Sequence, residues 1–162
     1  MRITFGLAAA VLVAACQQAP ADPTVDHAWV RLPAVAGNPG AAYFTLHGGS
    51  SAGTLVKVSA PFAVRAEMHE TMEMDHGAMA GMDHDAMANM GASMTGMQPV
   101  KDVALPARGE VKFAPAGRHV MLFDVAPTVK PGAKVPLTLD FADGKKLTVS
   151  AMVVGAGDPE PN

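Results

Sequence analysis

Apolar and polar residues alternate over short stretches along most of this chain, with Gly, Pro, Asn and Asp clustered between them. Alternation at a period of two turns one side of a strand toward a core and the other toward water. The pattern predicts strands over Val25–Leu32, Ala41–His47, Thr54–Ser59 and Ala63–His69. After a sulfur-rich segment it predicts them again over Val100–Val103, Val111–Ala114, His119–Val125, Val135–Phe141 and Lys146–Val154. Turn clusters such as Pro33–Gly40 and Ala142–Gly144 separate them. No long helical period occurs beyond the first apolar run. Many short strands joined by turns predict an all-β, antiparallel sandwich or barrel. Roughly 130 residues suffice for a core between two sheets. Trp29, Tyr43, Phe44, Phe62, Phe113, Phe123 and Phe141 are its expected contributors, and Gly155–Asn162 reads as a disordered tail.

The first apolar run is of another kind. Arg2 precedes Ile3–Ala15, which is too short to span a bilayer and ends in Val13-Ala14-Ala15-Cys16. Small residues just before a cysteine resemble the lipobox of bacterial lipoproteins, in which the signal is cut before the Cys and the Cys is lipidated. The expected organisation is a signal peptide over residues 1–15, then a lipidated Cys16 with a polar, proline-bearing tether to residue 23. A binding domain over 24–154 follows, held in the periplasm or cell envelope through its lipid anchor on a membrane. Cys16 is the only cysteine, so the domain has no disulfide framework and no thiolate ligand. The formal charge is −3; losing residues 1–15 removes Arg2 alone and leaves 11 basic against 15 acidic groups, or −4. No basic stripe points to nucleic acid.

The sulfur-rich segment changes the picture most. From Glu70 to Pro99 there is no Leu, Ile, Val, Phe, Tyr or Trp. Met72, Met74, Met79, Met82, Met87, Met90, Met94 and Met97 fill that space, with His76 and His84 among them. The run Met-Asp-His-Gly-Ala-Met-Ala-Gly from Met74 returns after eight residues as Met-Asp-His-Asp-Ala-Met-Ala-Asn, then decays from Met90. Methionine usually fills cores, but here nothing surrounds it to make one. Thioether and imidazole without thiolate are the donors a soft Cu(I) ion prefers. A neutral linker would use Ser, Gly and Pro instead. Glu67, Glu70, Glu73, Asp75, Asp83 and Asp85 occur with no Lys or Arg between Arg65 and Lys101, a local excess that concentrates cations. The Asp-His pairs at 75–76 and 83–84 also suit Cu(II). A structureless segment of this length in a compact domain is usually functional or disordered.

Two patterns flank the segment: Glu67-Met68-His69-Glu70-Thr71-Met72 where a strand enters it, and Arg118-His119-Val120-Met121 on a later strand. Residues two apart share a strand face, so His119 and Met121 point the same way. If the strand ends lie together, His69, Met97, His119 and Met121 converge as two imidazoles and two thioethers, a set suited to Cu(I) or Ag(I) and poorly suited to oxygen-seeking ions. No Ser/His/Asp or paired-carboxylate arrangement argues for an enzyme. His27 and His47 read as structural or surface histidines.

At these residues the chain resembles the periplasmic copper chaperone family called PCuAC. The family pattern is a His or Met, ten residues, a Met, twenty-one residues, then His-x-Met. Met97 and His119 here have 21 residues between them, and His119-Val120-Met121 supplies the last element. Met97-Gln98-Pro99-Val100, His69-Glu70-Thr71, Ala28-Trp29-Val30-Arg31 and Gly40-Ala41-Ala42-Tyr43-Phe44 also agree, over roughly residues 24–154. The departure is the spacing from His69 to Met97, 27 residues rather than ten, which makes the repeat an insertion of 17 within a loop over 70–97. Met72, Met74 or Met94 could therefore replace Met97.

The resemblance implies a cupredoxin-like β-sandwich that holds Cu(I) at His69, Met97, His119 and Met121. Its implied recipient is the dinuclear copper centre of a cytochrome oxidase subunit, with a thioredoxin-like assembly factor as a further partner. Met72, Met74, His76, Met79, Met82, His84, Met87, Met90 and Met94 would add capacity. Two other readings are open: a copper-tolerance lipoprotein that sequesters the ion for no recipient, and an exported interaction domain whose sulfur-rich loop meets a partner protein.

Overall fold

The computed structural model describes residues 20–72 and 96–161. Among them are ten strands and no helix: β1 (Thr24–Arg31), β2 (Gly40–His47), β3 (Gly53–Ser59), β4 (Ala63–Met72), β5 (Gly96–Pro99), β6 (Val103–Leu105), β7 (Glu110–Phe113), β8 (Arg118–Val125), β9 (Lys134–Phe141) and β10 (Lys146–Val154). Hydrogen bonds join them in the order β5-β4-β8-β7-β2-β1-β10-β9-β3-β6, with β8 also pairing β2. The sheet curls until β3 packs against β4. This is the all-β, cupredoxin-like fold.

Two features differ from a purely antiparallel sandwich. β1 runs parallel to β10, with Trp29 opposite Met152 and Arg31 opposite Val154. β7 and β8 touch in parallel at Phe113 and Arg118. Strand alternation says which face is buried but not which strand lies alongside, so the sequence pattern could not reveal either pairing. The expected strand at Val100–Val103 is also displaced. Val100 N–H donates to Met68 O at 2.8 Å, and the strand proper begins only at Val103.

The inner face follows the period of two. Val135, Leu137, Leu139 and Phe141 point inward from β9, and Val120 and Leu122 from β8. They meet Val30, Phe44, Leu46, Leu55, Met68, Phe113 and Val153 in one cluster, where Phe44 and Phe113 stack at 4.4 Å. Fully burying side chains of this size contributes about 1.5–3 kcal/mol each. Phe62 only flanks this cluster. Phe123, expected in the core, lies on the outer face, because it alternates with the inward Leu122. Trp29 and Tyr43 form a smaller cluster with Val154, their rings 4.3 Å apart.

The segment before β1 is pinned. Ser50 N–H donates to Ala21 O at 3.2 Å, and Lys145 pairs with Asp22 at 2.5 Å. The close approach needs glycine: a Cβ on Gly49 would sit 2.4 Å from Ala21 O, and one on Gly48 would sit 2.0 Å from Pro106 O. After β10, Asp158 accepts a hydrogen bond from Gly155 N–H at 2.7 Å, and Arg31 reaches Asp158 O at 3.2 Å. Residues 155–158, part of the expected disordered tail, thus close a turn against β1.

Candidate metal centre

β4 is the hub, because it pairs with β8 on one side and β5 on the other. His69 lies opposite His119 and Glu67 opposite Met121 on β8. Thr71 lies opposite Met97 and His69 opposite Pro99 on β5. Directly paired residues share a sheet face, and residues two apart along a strand do too. His69, His119, Met121 and Met97 are therefore all on one face. Met97 and Met121 each stand diagonal to His69, a spacing that long side chains bridge. The inward Met68, Val120 and Leu122 hold this arrangement by burying the opposite face.

The two imidazole centroids are 6.0 Å apart, with planes inclined at 27°. Two rings bound to one ion have centres roughly 6 Å apart at most, since each metal–nitrogen bond is about 2 Å and each ring adds about 1 Å. Each ring has one nitrogen occupied. His119 Nδ1–H donates to Gly117 O at 3.0 Å, which leaves Nε2 a lone pair. His69 Nε2–H donates to Glu67 Oε2 at 3.3 Å. His69 Nδ1 is buried with no hydrogen-bond partner. A buried polar atom left unpaired costs about 1–3 kcal/mol, and a nitrogen lone pair kept ready for an ion is a physical reason to retain one.

Exposure is graded across the site. His119 is 6 % and Met97 52 % exposed, with His69 and Met121 between. The hydrogen bond to His69, then the neighbouring Arg65 guanidinium, hold the Glu67 carboxyl below its ordinary pKa. Arg65 in turn pairs with Glu67 and lies over the Phe123 ring at 3.8 Å. In the sequence Glu67 heads the strand-end pattern and belongs to the local negative excess; its place two residues before His69 on the same strand face is the signal for their contact.

Among the described residues, no group of three or more His, Cys, Asp and Glu is arranged to hold a metal. Met72 pairs with Gly96 and shares a face with Met68, opposite the histidine face, which separates it from Met97 as a donor. Met74, His76, Met79, Met82, His84, Met87, Met90, Met94 and Cys16 lie outside the described residues. His47 is elsewhere, between Asp26 at 3.0 Å and Glu110 at 3.5 Å.

Three solved structures share this architecture. The copper-bound PCuAC domain from PmoF2 is 18 % identical, with 85 % of this chain and 96 % of that one covered and a TM-score of 0.59. The apo PmoF2 PCuAC domain is 19 % identical, with coverage of 88 % and 98 % and a TM-score of 0.62. Cu(I)-bound DR1885 from Deinococcus radiodurans is 28 % identical, with coverage of 86 % and 82 % and a TM-score of 0.55. The family model described as LpqE-like, named for a lipoprotein, matches residues 23–153. No curated protein matches the chain.

Proposed function

The chain belongs to the LpqE-like family, and from that premise we propose that it is a cell-envelope copper chaperone. It binds Cu(I) through His69, His119, Met121 and Met97 and passes the ion on. One observation carries the reading: His69 faces His119 across β4 and β8 with a free, buried Nδ1, and two methionines share their face. Neutral imidazole and thioether suit a soft monovalent ion. Thioethers hold it without the strength of thiolates, which suits transfer more than retention. The copper-bound relatives of the same fold support this. The recipient we propose is a cytochrome oxidase copper centre, reached directly or through a thioredoxin-like assembly factor. The chain is held at a membrane through a lipid on Cys16.

The Met/His repeat favours a second reading, sequestration, because donors at a period of eight exceed what one site needs. An anaerobic Cu(I) titration against a chromogenic competitor separates the two. Met72 and Gly96 are paired, so an Asn-Gly turn can replace residues 73–95 and close the hairpin. A shortened variant that keeps one tight ion supports the chaperone site with the repeat as a reservoir. A shortened variant that binds none places the copper on the repeat and makes sequestration the function.

A further inference from the structure

We propose that Glu67 is a positioning residue that selects the ligating nitrogen of His69, so that His69 binds copper through Nδ1 while His119 binds through Nε2. The inference rests on the copper reading and adds which atoms face the ion and what sets them.

The argument begins with protons. A carboxylate only accepts, so the 3.3 Å contact between His69 Nε2 and Glu67 Oε2 requires the proton on Nε2. In a neutral ring the lone pair is then on Nδ1. That atom is buried and unpartnered, a poor place for an N–H and a suitable one for a donor awaiting a metal. His119 has the reverse arrangement. Its Nδ1 faces a carbonyl, which also only accepts, so its lone pair is on Nε2. The opposite tautomers have opposite causes: a backbone oxygen that no substitution removes, and a side-chain carboxylate that one does.

Glu67 is itself held. Arg65 pairs with it and is steadied by the Phe123 ring, so Phe123, Arg65, Glu67 and His69 form a row along the outer face of β4 and β8. Such a row restricts the carboxylate to the Nε2 edge of His69. Partners of this kind fix a ligand's orientation and raise its basicity, and their loss typically lowers metal affinity about 10–100-fold.

The test is a long-range proton–nitrogen correlation spectrum of the histidine rings, recorded for the apo and the Cu(I)-loaded protein. The expected apo spectrum shows His69 protonated at Nε2 and His119 at Nδ1. Cu(I) should then shift His69 Nδ1 and His119 Nε2. Glu67→Ala should mix the His69 tautomers, leave His119 unchanged, and weaken Cu(I) binding about 10–100-fold. Glu67→Gln, which keeps a carbonyl acceptor at the same position, should restore the tautomer and most of the affinity. Finding His69 protonated at Nδ1, or an unchanged tautomer in Glu67→Ala, overturns the proposal while copper binding stands. Cu(I) that shifts neither ring overturns the copper reading itself and the ligand assignment with it.

Discussion

Replacing His69 by Leu should make the copper-free protein more stable. The imidazole is 11 % exposed, and its Nδ1 is buried without a partner. An orphaned buried polar atom costs about 1–3 kcal/mol, and leucine of similar volume removes it. The substitution also loses the hydrogen bond to Glu67, which is long at 3.3 Å and lies beside a carboxylate more than a third exposed, so solvent takes over most of it. The net expectation is about 1 kcal/mol of added apo stability, or roughly 3–5 °C in Tm for a domain of this size. Thermal unfolding followed by Trp29 fluorescence, with a copper chelator present, measures it. Saturating Cu(I) should reverse the order. Wild type gains about 4 kcal/mol when the free ion is a thousand times its Kd, and the variant gains far less. Apo His69→Leu destabilised by about 2 kcal/mol or more would refute the reasoning, because His69 would then be a structural core histidine.

Other outcomes follow from the same geometry. Met97→Leu keeps volume but removes a sulfur from the histidine face, so it should weaken Cu(I) binding in a competitor titration. Met72→Leu, on the opposite face, should leave the main site unchanged. Leu122 is fully buried behind His119 and Met121, and Leu122→Ala should lower stability by about 2–5 kcal/mol in denaturant unfolding. Tyr43 is the only tyrosine, and burial raises its phenol above the ordinary 10.0. The folded protein therefore holds that proton more tightly than the unfolded chain. Its contribution to stability is complete below pH 10.0 and is lost as pH rises through the raised value, which a spectrophotometric phenolate titration locates.

The alternation of Val135, Leu137, Leu139 and Phe141, or of Val120 and Leu122, was readable because one buried face imposes a period of two. β5 was not, because Gly96-Met97-Gln98-Pro99 has no such period and owes its strand to pairing with the end of β4. For the same reason β4 runs on to Met72, past the expected end at His69. The candidate ligands His69, Met97, His119 and Met121 were legible from residue type and spacing. Their common face was legible only in part, because it depends on a register that puts His69 opposite His119. The contact from His69 to Glu67 was legible only as a shared strand face two residues apart, since a carboxylate in an acidic stretch does not show in sequence whether it meets a ring nitrogen.

The pinning of Ala21 and Asp22 bears on where this molecule can reach. β1 begins, β2 and β4 end, and β8 starts at the same end of the sheet, so Thr24, His47, Met72 and Arg118 share it. With Ala21 held by Ser50 and Asp22 by Lys145, Cys16 stands five residues before the pinned segment in the sequence, a contour of at most about 18 Å. A lipid on Cys16, as proposed, would therefore tether the end of the sheet at which β4 enters and β5 leaves the sulfur-rich segment. On that proposal, the mouth of the sulfur-rich segment would open toward the membrane surface and not toward the far side of the domain.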